Sequence, residues 1–88
     1  MSIKKQYALL DHTAQNFLNP ITFINDGDAI RAFSDAVNNP ESAVGAHPMD
    51  FSLIHCGVYD RITGVIESDG NTRTVISGKD VLINNKDG

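Results

Sequence analysis

The sequence predicts a small α+β domain: an antiparallel sheet of about three to five strands with one main amphipathic helix, about residues 26–38, packed on one face. Three observations predict it. Residues 25–40 hold a helix start, an apolar stripe and a stop. The segments on either side are short runs of β-branched and aromatic residues, punctuated by Asn, Asp, Gly and Pro. The chain is 88 residues long, enough for one domain with a thin core.

The helix is the fullest local signal. Asn25 is placed to cap it and Asp28 falls at N3, where negative charge suits the macrodipole. At 100° per residue, Ala29, Ile30, Phe33, Ala36 and Val37 lie within an arc of about 120°. Asp28, Arg31, Asp35 and Asn38 take the other side. Asn39 precedes Pro40, which disfavours helical geometry at Asn39 and ends the helix. Asn39 is then free to cap a new turn with Pro40 at its first position.

Residues 3–10 alternate as a first strand. Asp11 to Asn16 form a polar turn, Phe17-Leu18 a short return, and Asn19-Pro20 a break, since Pro cannot donate to a ladder. Ile21 to Ile24 form another short strand. After the helix, residues 43–50 read as loop. Phe51 to Tyr59 is the clearest strand, with Phe51, Leu53, His55 and Tyr59 on one face and Ile54, Cys56 and Val58 on the other. Apolar residues on both faces imply a central strand covered by the helix on one side and by a partner subunit on the other. Gly57 within it marks a bulge or the close approach of another backbone.

Asp60 to Gly64 reads as a hairpin loop, Val65 to Glu67 as its return strand, Ser68 to Asn71 as a turn, and Thr72 to Ser77 as a strand. Gly78-Lys79-Asp80 interrupts it before a last short apolar element, Val81 to Ile83. Residues 1–83 thus form the single domain and 84–88 a frayed tail.

Composition narrows the function classes. Apolar residues make up 41% and charged residues 20%, which is globular rather than disordered. No run is long and apolar enough for a transmembrane helix, and the lysines near the start precede no signal-type apolar stretch. The lone Cys56 excludes an intramolecular disulfide and a multi-cysteine zinc site, and suits a reducing cytosol. Net charge is −4, with only seven Lys and Arg, which argues against strong non-specific DNA binding. It leaves room for one local basic patch, or for an oligomer that pools several. Nine of the eleven acids are Asp, a residue of caps and turns.

Chemistry-bearing constellations are sparse. His12, His47 and His55 lack metal-site spacing, and His55 and Cys56 point to opposite faces of a strand. Asp26-Gly27-Asp28 lacks the rest of a calcium loop and is explained as a helix start. No catalytic residue, metal site or cofactor is expected. One surface offers a binding hypothesis. Should the sheet gather Lys4, Lys5, Arg61 and Arg73, with Tyr7 or Tyr59 presenting a ring, a single nucleic-acid strand would track over it by stacking and phosphate contact. Charge statistics alone favour scattered solubilising residues.

Several pieces occur in a familiar order: Asp11 with Ala14; Phe23; Ala29-Ile30-Arg31-Ala32-Phe33 with Asp35 and Val37-Asn38; His47-Pro48-Met49-Asp50-Phe51-Ser52-Leu53; Gly57-Val58-Tyr59-Asp60; and Thr63-Gly64-Val65-Ile66. Over roughly residues 7–67 the chain resembles the small non-structural protein of gokushovirus-type microviruses, tailless phages with circular single-stranded DNA genomes. The resemblance implies a non-catalytic protein in the host cytoplasm. It would bind single-stranded DNA, or the replication machinery on it, while viral genomes are made and packaged. It supplies no residue list. The alternative is a self-associating adaptor that contacts a replication or capsid-assembly protein without touching DNA. An enzyme is the third reading, and no membrane partner is expected.

Overall fold

The computed structural model describes residues 3–86. In chain order the elements are β1 (Ile3–Asp11), β2 (Asn16–Phe17), β3 (Ile21–Phe23), α1 (Asp26–Val37), α2 (Ala43–Ala46), a 3-10 turn (Pro48–Asp50), β4 (Phe51–Asp60), β5 (Ile66–Glu67), β6 (Arg73–Ser77) and α3 (Gly78–Lys86). The fold is α+β, with one six-stranded antiparallel sheet and several short helices. The expectation of three to five strands is corrected to six, and that of one main helix to three α-helices among the described residues.

The two long strands, β1 and β4, lie side by side at the centre. Each carries a broken edge. β2 and β3 both pair with the outer side of β1, interrupted at Asn19-Pro20. β5 and β6 both pair with the outer side of β4, interrupted by the Ser68–Asn71 turn. Short, interrupted edges offer little template for another chain's strand.

The register between β1 and β4 changes once. Tyr7 faces His55, but Gln6 faces Gly57, so β4 carries an extra residue at Cys56. One extra residue exchanges the two faces of everything beyond it. Tyr59 therefore does not share a face with Phe51, Leu53 and His55, as simple alternation predicts. Gly57 sits where a Cβ would collide with the Glu67 carbonyl oxygen of β5. Both readings of this glycine, bulge and close approach, hold together.

Local chemistry explains the helix ends. Asn25 Oδ1 accepts from the Asp28 backbone N–H at 2.9 Å, capping α1. Asn39 Oδ1 accepts from Glu41 N at 3.0 Å, but the next helix starts later, with Ser42 Oγ accepting from Gly45 N at 2.8 Å. Segment 43–50, expected as loop, thus holds α2 and the 3-10 turn. Ser77 Oγ accepts from Asp80 N at 3.2 Å at the start of α3. That helix replaces the expected break and short apolar element, because Val81 is buried in the core on a helical turn. It continues through Lys86 into the segment read as tail. Asp87 and Gly88 lie outside the described residues.

The core is one cluster on one side of the sheet. Ala29, Phe33 and Val37 of α1, Val44 of α2 and Val81 of α3 meet Tyr7, Phe51 and Leu53 of the central strands. No helix among the described residues is long and apolar enough to cross a membrane. On the opposite face Ala8, Ile54 and Ser52 are buried although they lie outside that cluster. Gln6, on the same face, is buried as well.

Phe33 fills the centre of the cluster at 3% exposure. Phe33→Ala is expected to lower unfolding free energy by about 3–5 kcal/mol in urea titrations. Phe17→Ala, at a residue 54% exposed, is expected to stay within about 0.5 kcal/mol of the parent.

Candidate nucleic-acid interface

The bulge divides the six candidate residues Lys4, Lys5, Tyr7, Tyr59, Arg61 and Arg73 between the two faces of the sheet. Paired residues in an antiparallel ladder share a face. Tyr7 pairs with His55, Lys5 with Val58 and His55 with Arg73, and all of these register positions belong to the helix side. Lys4 pairs with Tyr59 on the other side. The single surface imagined from sequence is therefore corrected to two.

On the helix side the candidates serve an anion from their own chain. Asp26, in the first turn of α1, receives a hydrogen bond from the Tyr7 hydroxyl at Oδ1. Arg73 Nη2 donates to its Oδ2 at 2.7 Å, and Lys5 Nζ lies 4.0 Å from Oδ1. The Tyr7 and Arg73 bonds hold the Asp26 carboxyl below the usual carboxylate range. Burial, reinforced by the bond to Asp26, pushes the Tyr7 hydroxyl well above its ordinary value. The bond to Asp26 likewise raises Arg73. Tyr7 is 0% exposed, its ring set edge-on to Phe23 and His55 at centroid distances of 5.8 and 5.5 Å. It presents no face on which a base can stack, because its ring completes the core.

His55 extends this cluster. Its ring is 2% exposed, and Nε2 lies 3.0 Å from Asp69 Oδ2. The carboxylate accepts, which assigns the Nε2 proton to this bond. Nδ1 has no hydrogen-bond partner. The His55 bond lowers the Asp69 carboxyl, whose other oxygen accepts from Asn71 N at 3.1 Å. One carboxylate thus shapes the turn before β6 and anchors it to β4. Cys56 is a half-buried thiol that burial pushes up, which keeps it protonated and unreactive. Sequence reasoning missed Asp26 and Asp69 as long-range partners. Both sit in local cap and turn patterns that account for them without any distant contact.

The opposite face has a different character. By register it presents Lys4, Gln6, Ala8 and Leu10 of β1, with Phe17, Thr22, Ser52, Ile54, Tyr59, Ile66, Thr74 and Ser77 around them. Gln6 Nε2 donates to Thr22 Oγ1 at 2.7 Å. No strand position of this face carries a carboxylate among the described residues. Asp11, Asp60 and Glu67 fall on helix-side register positions. Asp26, Asp28 and Asp35 belong to α1, Asp50 and Asp80 to the 3-10 turn and α3. Glu41 and Asp69 lie in loops.

Arg61 sits past the end of this face, on the exposed turn between β4 and β5. That turn is firmly built. Asp60 Oδ1 accepts from Ile62 N at 2.9 Å, Asp60 N donates to Val65 O at 2.9 Å, and Gly64 N to Asp60 O at 2.8 Å. Gly64 takes φ +76°, where a side chain would be strained.

Asp26 links stability to pH. Its folded-state value lies below the ordinary 3.8, so its contribution is fully present above that value and disappears as pH falls through the folded one. Urea midpoints of the parent and Asp26→Asn are expected to differ most between pH 5 and 7 and to converge as pH drops toward about 2. A gap independent of pH would remove the ionic role assigned to Asp26.

Residues 4–81 match the phage ORF5 protein family. No curated protein and no solved structure matches the chain. The family match covers nearly all of both central strands, both broken edges and α1. The chain therefore belongs to the phage ORF5 protein family and is a phage protein.

Proposed function

We propose that this phage protein binds single-stranded DNA, or the machinery replicating it, through the sheet face opposite its helices, and that it does so without catalysing a reaction. The observation that carries the reading is the partition of charge. Net charge is −4, yet the strand positions of this face hold Lys4 and no carboxylate. A phosphate backbone on it meets no carboxylate from the strand positions of that face, and exposed charges farther than about 8 Å are largely screened at physiological salt. Tyr59 and Lys4 are cross-strand neighbours, a stacking ring beside a phosphate-pairing cation. Arg61 adds a second cation at the end of the face. Tyr7, Lys5 and Arg73 act instead as the scaffold that holds α1 against the other side.

The resemblance to the gokushovirus non-structural protein supports a role while single-stranded viral genomes are synthesised and packaged in the host cytoplasm. Two cations engaging two phosphates give a logarithmic salt slope of about −1.4 on a single strand, so binding is modest and salt-sensitive.

Fluorescence anisotropy with a labelled oligonucleotide tests this. Lys4→Glu and Tyr59→Ala are each expected to weaken binding by about fivefold or more, and added salt to weaken the parent along the slope above. Lys79→Glu makes the same charge change on the helix side, in α3, and is expected to leave binding within about twofold by the same screening argument. Equal losses from Lys4→Glu and Lys79→Glu would mean that binding follows net charge rather than this face. No salt-sensitive signal at micromolar protein would remove direct DNA contact and leave the adaptor reading.

A further inference from the structure

Two side chains on the sheet face opposite the helices stand far from Lys4 and Tyr59. The first is His12, at the start of the turn that joins β1 to β2. Its backbone N–H donates to the Asp50 carbonyl at 2.8 Å, and its Nε2 lies 2.8 Å from Ser52 Oγ. Ser52 is buried in this face, so the bond lays the exposed imidazole over it. A hydroxyl both donates and accepts. It donates to Nε2 of the neutral ring and accepts from Nε2 of the imidazolium, so the ring keeps its place in either charge state. Nδ1 makes no hydrogen bond among the described residues.

The second is Phe17. It pairs with Leu10 in the ladder, which puts its ring on the same face. The ring is 54% exposed and has no part in the packed core. The turn between the two residues is built in advance. Asp11 Oδ1 accepts from Thr13 N at 3.0 Å and from Ala14 N at 3.1 Å, and Gln15 N donates to Asp11 O at 2.8 Å. Little ordering cost therefore remains to be met when a ligand arrives.

Aromatic ring and imidazole repeat, at the far end of the face, the pairing of Tyr59 with Lys4. From Leu10 back to Lys4 is six residues of β1, about 20 Å at the rise of a strand. At the 3.4 Å rise of a stacked strand that distance holds about six nucleotides, and an extended strand covers it with fewer. Gln6, Ala8 and Ile54 lie between the two ends, none of them charged. The carboxylates nearest His12 in the chain and across the sheet are Asp11 and Asp50. Asp11 takes a helix-side register position and is engaged by its own turn. β6 brings only the uncharged Ser77 beside Ser52, and α3, with Lys79 and Asp80, packs on the helix side through Val81. Among the described residues no carboxylate forms an ion pair with the His12 ring.

We propose that His12 and Phe17 form a second nucleotide subsite at the β1–β2 end of this face, Phe17 stacking on a base and the His12 imidazolium donating to a phosphate from Nδ1. The proposal rests on this face binding single-stranded DNA. It adds that the strand runs the length of the face, and that the hold tightens as His12 takes up a proton. Imidazole ordinarily changes charge between pH 5 and 8, so acidification adds a third cation to the face.

Fluorescence anisotropy with labelled thymidine trimers and octamers, at pH 8 and pH 5.5, tests it. Phe17→Ala is expected to weaken octamer binding about fivefold or more. It should leave the trimer within about twofold, because the Lys4–Tyr59 end still holds three nucleotides. In the parent, the logarithmic salt slope for the octamer is expected to steepen from about −1.4 at pH 8 to about −2.1 at pH 5.5. His12→Gln should abolish that change. His47→Gln removes the same titration between α2 and the 3-10 turn and should preserve it. Phe17 and His12 are both exposed, so unchanged thermal midpoints will show that the fold is intact. Octamer affinity at pH 5.5 equal to the parent's in either Phe17→Ala or His12→Gln overturns the subsite. If Tyr59→Ala still weakens binding in that case, DNA recognition by the face itself stands. Equal loss of the pH effect in His12→Gln and His47→Gln would mean that binding follows net charge, and also overturns it. A parent that binds neither oligonucleotide overturns both the subsite and the face.

Discussion

The extra residue that β4 carries at Cys56 decides which side chains each face of the sheet presents. A strand's side chains alternate strictly, so a single inserted residue reassigns every position beyond it. Before the bulge, β4 sends Phe51, Leu53 and His55 toward the helices. After it, Tyr59 turns to the opposite face and Asp60 to the helix side. Without the bulge Asp60 would lie beside Lys4 on the open face, and Tyr59 would be directed toward α1. The charge partition on which the nucleic-acid proposal rests follows from this one register change. Gly57 permits it, because only a residue without a Cβ fits against the β5 backbone there.

The helix side is held by a different kind of interaction. Asp26 gathers Tyr7 from β1 and Arg73 from β6 around the start of α1, and Asp69 ties the turn before β6 to His55. These bonds cross 19, 47 and 14 residues of sequence. They join both halves of the sheet to one helix terminus. They also explain why a chain with few cations has fewer still for an external anion: the Arg73 side chain and part of the Lys5 charge are committed to an internal carboxylate.

Much of the local structure was legible in the sequence because it depends on neighbouring residues. Asn25 capping α1, the stop before Pro40, the five-residue turn closed by Gly64 and the break at Asn19-Pro20 each follow from the chemistry of one or two side chains. Three features were not. α3 was hidden because Val81-Leu82-Ile83 has β-branched character, and only burial of Val81 against the other helices favours a helical turn. The exchange of faces at Tyr59 was hidden because Gly57 signals a bulge without saying how it alters register. The Asp26 cluster was hidden because its aspartate already had a sufficient local role at a helix start. For the candidate site the sequence offers Tyr7 and Tyr59 as alternative rings without deciding which face each takes; Tyr59 lies across the strands from Lys4, whereas Tyr7 is buried.

We propose that the two faces of one thin sheet have separate duties: one packs against the helices and sustains the fold, and the other, with no carboxylate at its strand positions, meets DNA. Backbone amide shifts measured by NMR during titration with an unlabelled single-stranded oligonucleotide test this residue by residue. Changes are expected to concentrate at Lys4, Gln6, Thr22, Tyr59 and Thr74, with α1 and α3 silent. Changes concentrated on α1 and around Asp26, with Lys4 and Tyr59 unmoved, would contradict it.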